Sequence, residues 1–227
     1  FWENQTDTQL INAVNSEFGT NIVVEEFSRV AQNLRTTYID YSDYYDPATK
    51  NNLDLVQWAI EAHSSGWGYV WGTYGHVLTR SYYEAKLAQY PEGVGNYADF
   101  ILANWLGKRT ADCVGLVKGY CWFDPEAQSI GYAVNGMPDI ATEQMIEWCD
   151  EKGSMDTMPE IPGLLLWMDG HVGIYIGDGY AIEAMGTRYG VVKTQVAGRG
   201  WQKWGKIPCI EYIEEAEETE PSEAAVG

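Results

Sequence analysis

The sequence predicts an α+β domain, and three observations carry the prediction. Apolar residues recur at helical spacing through the first two thirds of the chain. After Pro162-Gly163 they change to short apolar or alternating runs. Asp169-Gly170 and Asp178-Gly179 separate those runs, and Asp-Gly between apolar runs marks a two-residue hairpin, whose turn positions favour positive φ. Helices first and an antiparallel meander second is the α+β order.

The elements follow in chain order. Leu10, Ile11, Val14 and Phe18, then Val23, Phe27, Val30, Ala31 and Leu34, place helices near 7–17 and 24–36. A Tyr- and Asp-rich stretch ends at Asp46-Pro47, so residues 1–50 read as a helical appendage. Leu55, Trp58, Ala59 and Ala62 share one face of a helix near 53–64, which Gly66-Trp67-Gly68 stops. Helices near 80–90 and 96–105 are split by Pro91-Glu92-Gly93. Another begins at Asp112 or Cys113, and one more spans about 142–151 with Thr142 as its cap. Strands are expected at 164–168, 172–176, 180–185, 191–196 and 207–213. Residues 214–227 are rich in Glu and lack aromatics, which reads as an acidic, solvated tail. That leaves 51–213 as the domain that carries the chemistry.

Composition narrows the function classes. With 227 residues and 45% hydrophobic content the chain can bury a full core. Fourteen basic residues against 33 acidic ones give a net charge of −19, so no nucleic acid partner is expected. The apolar run at 161–168 is far short of the ~20 residues of a membrane span. The chain opens on Phe1-Trp2 without a signal-peptide pattern, so export is not read from it directly. Four cysteines are too few for a disulfide scaffold and show no zinc spacing, and the three histidines have no metal-ligand partners at motif spacing. Rossmann and P-loop glycine patterns are absent too, so neither metal nor cofactor is expected.

A Cys/His pair is then the sharpest chemical option. Cys113 stands where the polar Thr110-Ala-Asp-Cys turns into an apolar, helix-like stretch. A thiol in the first turn of a helix meets unpaired N–H groups and the positive end of the dipole, which favours thiolate. Asp112 can cap that turn, and Gly115 leaves room for a substrate backbone. The competing reading is a buried structural thiol, which is how Cys121, Cys149 and Cys209 are read. His171 opens a strand in which His171, Gly173 and Tyr175 alternate onto one face. His76, in a Gly-rich loop, is its rival as base, whereas His63 ends a helix. Turning at 178–179 sets Ile174 and Glu183, or their neighbours, opposite each other. A desolvated carboxylate at 183 needs a partner, and an imidazole N–H is the natural one. Finally, Arg188, Lys193, Arg199, Lys203 and Lys206 fall in 19 residues free of Asp and Glu, a positive field for an anionic substrate unless strand alternation scatters them.

Taken together, Trp67-Gly-Tyr-Val-Trp-Gly72, Asp112-Cys-Val-Gly-Leu-Val117, Gly170-His-Val-Gly-Ile-Tyr-Ile-Gly177 and Ile182-Glu-Ala184 resemble the NlpC/p60 cysteine peptidases, over about residues 53–212. The resemblance implies a papain-like fold and a thiol hydrolase of peptidoglycan stem peptides, cutting between D-glutamate and a diamino acid. Cys113 resembles the nucleophile, His171 the general base and Tyr69 the substrate-binding tyrosine near the nucleophile. Glu183 occupies the third polar position, often His, Asn or Gln in the family, and Val114 stands where serine is common. Trp71, Asp112, Val114 and Gly115 are the further expected substrate contacts, and Lys193 adds charge for the carboxylates of a stem peptide. About 40 residues separate Gly72 from Cys113, an insertion that would shape or cover the groove. A secreted or wall-associated protein, or a phage endolysin, is implied. The alternatives are an N-acetylmuramoyl-L-alanine amidase with the same dyad and an inactive wall-binding module.

Overall fold

A computed structural model describes residues 50–213. The helices expected near 7–17 and 24–36 and the acidic tail from Glu214 lie outside the described residues. Helix α1 (Asn52–Ser64) starts at Asn51, whose side chain accepts the Asp54 N–H at 2.8 Å. It ends as the glycine pattern predicts. Gly66 takes φ +63° and the Trp67 N–H returns to the Ala62 carbonyl at 3.0 Å.

The segment between Gly72 and Cys113 contributes most of a second, smaller core cluster. It runs β1 (Tyr74–Val77), α2 (Arg80–Gln89), α3 (Pro91–Gly95), α4 (Ala98–Asn104) and β2 (Arg109–Ala111), with β1 and β2 antiparallel. Leu78, Tyr83, Val94, Ile101 and Trp105 pack inside it with Val70. Pro91-Glu92-Gly93 splits the two helices as expected and also opens the short α3, because proline fits the first helical position, where no N–H partner is needed.

Helix α5 (Cys113–Trp122) is central, with every residue from Val114 to Trp122 buried. A small hairpin of β3 (Phe123–Asp124) and β4 (Ser129–Ile130) follows, then α6 (Thr142–Trp148). Thr142 is the first residue of α6 and not its cap. Ala141 holds that position, with its N–H donated to Gln144 Oε1 at 3.0 Å.

The main sheet contains β5 (Lys152–Ser154), β6 (Leu165–Met168), β7 (His171–Gly177), β8 (Tyr180–Gly186), β9 (Gly190–Gln195) and β10 (Lys203–Gly205). Its order is β5-β10-β6-β7-β8-β9, all neighbours antiparallel. No strand spans 207–213 as expected; only Glu211 forms an isolated bridge, to Asn51. Pro208 has no N–H for a ladder, and Ile207 and Ile210 reach the core from a turn closed by the Ile210 N–H on the Ile207 carbonyl at 3.1 Å. One sheet face, with Val172, Ile174, Ile182 and Ala184, shares its core with α1 and α5. The other, with Leu164, Leu166, Tyr175 and Ala181, is covered by Trp201 and Trp204.

The β7–β8 hairpin departs from its simplest register, and the departure sets the site. Asp178 and Gly179 both take positive φ, +53° and +74°, as the Asp-Gly turn requires; at Asp169-Gly170 only the glycine does, at +70°. Gly177 pairs with Tyr180, yet Tyr175 pairs with Ala181, so β7 carries one extra residue at Ile176. Ile174 therefore faces Ile182 and not Glu183. A one-residue shift exchanges the faces of a strand. Glu183 is thereby carried to the face of His171 and Gly173.

Candidate active site

Cys113 begins α5 and is half-buried. Its position is fixed by Asp112, which caps the helix. Asp112 Oδ1 accepts the Gly115 N–H and Oδ2 the Gly72 N–H, both at 2.7 Å, while the Asp112 N–H binds the Thr73 carbonyl at 2.9 Å. The carboxylate thus ties the 72–73 segment to the start of α5. Burial pushes the Asp112 carboxyl up, against those two N–H groups and the charges of Lys118 and Lys86.

The thiol does not behave as its helix position suggests. Burial, and then the Asp112 charge, push Cys113 up to about 12, although the N–H groups of Val172, Val114 and Cys113 itself favour the thiolate. Desolvation outweighs the helix N-terminus here. Left to these groups the sulfur holds its proton at neutral pH.

His171 opens β7, and the N–H of the next residue, Val172, lies against the Cys113 sulfur. The imidazole stacks on Trp201 with ring centres 5.7 Å apart and planes 15° from parallel. Its Nε2 lies 2.6 Å from Glu183 Oε2. Glu183 is 0% exposed, and all four of its acceptor directions are used. Oε2 also takes Arg199 Nη2 at 2.7 Å, while Oε1 takes Arg199 Nε at 2.8 Å and Thr194 Oγ1 at 2.7 Å. Burial alone would raise this carboxyl, but the bonds from His171, Arg199 and Thr194 outweigh it and hold it at about 2. An ionised carboxylate only accepts, so Nε2 carries a proton and a neutral ring keeps its lone pair on Nδ1. The nitrogen turned away from Glu183 is thereby the one free to accept a hydrogen bond.

Cys113 and His171 line one cavity of about 660 Å³, together with Tyr69, Trp71, Asp112, Val114 and Gly115. A second cleft of about 730 Å³ adjoins it and shares Tyr69, Trp71, Gln89 and Tyr90. Trp71 is half-exposed at the junction. Tyr69 is nearly buried; burial, then the charges of Cys113 and Asp112, raise its hydroxyl far above its usual range, so it stays a donor. The insertion shapes the groove through Lys86, Gln89 and Tyr90 of α2 and the residue after it.

The reason for a glycine at 115 and the place of Lys193 are corrected. Gly115 lines the cavity, but the room its missing side chain leaves is not open to substrate, because a Cβ there would meet the Thr73 carbonyl oxygen at 1.9 Å. Its space is filled by protein. Lys193 pairs across to Ile182, on the sheet face opposite Glu183, and its Nζ lies 4.3 Å from the Tyr180 ring centre, outside the cavity. The positive stretch 188–206 scatters: Arg188 sits over Tyr97 and Phe100, Lys203 pairs with Glu147 and Lys206 with Glu151. Only Arg199 reaches the site, as the partner of Glu183 and not as a free charge. His76 packs between Tyr74 and Tyr82, behind Tyr74 and not among the residues that line the cavity. Cys121 and Cys149 are buried, and the Cys209 sulfur lies 3.8 Å from that of Cys121 without a bond between them. Among the described residues no three His, Cys, Asp or Glu side chains group closely enough to hold a metal ion, and no helix is long and apolar enough to cross a membrane.

No protein-family model and no curated protein matches the chain. Solved structures do. The peptidoglycan hydrolase RipB of Mycobacterium tuberculosis is 18% identical, with 91% of this chain and 82% of that one covered and a TM-score of 0.40. The P60 domain of an antigen of M. avium subspecies paratuberculosis is 22% identical, with coverages of 70% and 97% and a TM-score of 0.40. The NlpC/p60 domain of the peptidoglycan hydrolase SagA is 18% identical, with coverages of 72% and 100% and a TM-score of 0.38.

Proposed function

We propose that the chain is a cell-wall hydrolase of the NlpC/p60 type, a cysteine peptidase that cuts the D-glutamyl–diamino acid amide of peptidoglycan stem peptides outside the cytoplasm. The observation that carries this reading is a half-buried thiol at the start of α5 sharing a cavity with an imidazole whose far nitrogen is fixed by a buried carboxylate. Attack begins when His171 Nδ1 takes the Cys113 proton as the sulfur closes on the amide carbonyl. Glu183 and Arg199 keep the ring in place and balance the imidazolium that forms. His171 then gives the proton to the leaving amine, and water, activated by the same nitrogen, releases the acyl group. Tyr69 O–H and the N–H groups at the start of α5 are the donors at hand for the oxyanion.

The test is mass analysis of purified peptidoglycan after digestion. Wild type is expected to release fragments cut after D-glutamate. Cys113→Ala should lower the rate by at least about a thousandfold. His171→Ala should be nearly as damaging, and His76→Ala mild. Release of stems that begin with L-alanine marks an amidase instead. No cleavage, with no labelling of Cys113 by a thiol-reactive probe, marks an inactive wall-binding module.

A further inference from the structure

Five charged side chains besides His171 line the catalytic cavity, and four of them are already engaged. Asp112 holds two backbone N–H groups, and Glu143 accepts the Gly170 N–H at 3.1 Å. Lys118 and Asp139 bind each other at 2.5 Å, and the second Asp139 oxygen takes the Tyr132 hydroxyl at 2.6 Å. Lys86 is the fifth. Among the described residues no carboxylate lies within ion-pair distance of it. Its Nζ donates to Gln89 Oε1 at 3.1 Å, and Gln89 Nε2 in turn donates to the Tyr90 hydroxyl at 3.0 Å.

Three tyrosine rings surround this ammonium, with Nζ at 5.8 Å from the centre of Tyr74, 5.4 Å from Tyr82 and 5.8 Å from Tyr90. Ring faces stabilise a cation without neutralising it. Burial pulls the ammonium's pKa down while the charges of Asp112 and Asp139 act the other way, and with no carboxylate of the described residues in ion-pair contact the charge stays available to an anion entering the groove. Over a surface of net charge −19 such a local cation gives an anionic substrate a place to bind.

We propose that Lys86 forms a carboxylate subsite, supplied by the insertion, that binds the free carboxylate a D-glutamyl residue keeps beside its amide to the diamino acid. The assignment rests on the stem-peptide reading of the site and names the charge that selects its substrate. Lys86, with Gln89 beside it, takes the part expected of Lys193.

The test uses two synthetic stem peptides, one with that carboxylate free and one with it converted to the primary amide. Wild type is expected to show a KM about tenfold lower for the free acid, the size of one charge-assisted hydrogen bond, with kcat alike for both. Lys86→Gln should erase the preference and Lys86→Arg should keep most of it. Equal KM values in wild type, or a preference that survives Lys86→Gln, overturn the subsite and leave hydrolysis standing. Calorimetry on Cys113→Ala reads the subsite without turnover. There the same tenfold difference in Kd is expected, and equal Kd values or no binding overturn it. Selective binding to Cys113→Ala with neither peptide cut by wild type would sink the hydrolase reading alone.

Discussion

Glu183→Gln perturbs the site at its most constrained point. The carboxyl is fully buried and held at about 2, against an ordinary value of 4.5. Its pKa is depressed in the folded state, so it contributes stability above pH 4.5 that is lost as the pH falls toward 2. A depression of that size corresponds to about 3 kcal/mol at neutral pH. Glutamine keeps the shape but leaves Arg199 without its counter-charge and turns an amide NH₂ toward donors that need an acceptor. The penalty for breaking a buried pair is again about 3–5 kcal/mol. Urea midpoints for wild type and variant from pH 7 to pH 2 check this. Many carboxylates titrate in that range, so the difference between the two curves is what counts. The variant should be less stable by about 3 kcal/mol at pH 7, and the gap should close between pH 4.5 and 2. Parallel curves would refute the claim that Glu183 is ionised and carries this network.

Two more outcomes are expected. Gly115→Ala drives a methyl group into the Thr73 carbonyl at 1.9 Å, so it should destabilise the fold by about 3 kcal/mol or more, read as a fall in thermal midpoint; wild-type stability would show that Gly115 faces open space. Asp112→Asn removes the charge that, after burial, most raises the Cys113 thiol, so alkylation at pH 8 should speed up even as one of the Gly72 and Gly115 N–H bonds is lost; alkylation at or below the wild-type rate would show that the Asp112 charge does not act on the sulfur.

What was legible in the sequence is what short-range rules decide. Asp112 before an apolar run announced a helix start, and α5 begins at the next residue. Asp178-Gly179 announced a hairpin, and both residues take positive φ. The same local logic erred where a partner lies far along the chain. Gly115 looked like space left for a substrate, but the Thr73 carbonyl, 42 positions away in sequence, occupies it. Helix position alone argued for a thiolate at Cys113; the burial that reverses the argument is a property of the assembled core.

The placement of Glu183 shows how small a feature can separate a sequence pattern from a site. Counting back from the 178–179 turn without interruption sets Glu183 opposite Ile174, on the core face and out of reach of His171. One extra residue at Ile176 moves every later pair by one and exchanges the faces. Glu183 then meets His171 from one side and Arg199 from the other. Nothing in the alternation of Val172 to Gly177 marks the bulge, because Ile176 is as apolar as its neighbours. Arg199 could not be placed either: it follows β9 in a loop, flanked by Gly198 and Gly200 with φ +77° and +95°, and strand periodicity ends before it. A buried carboxylate without a cation would have been untenable, so the need for a partner was readable even where its identity was not. That requirement is met twice over, by the His171 imidazole and by the Arg199 guanidinium, whose bonds together outweigh burial and keep the carboxylate charged.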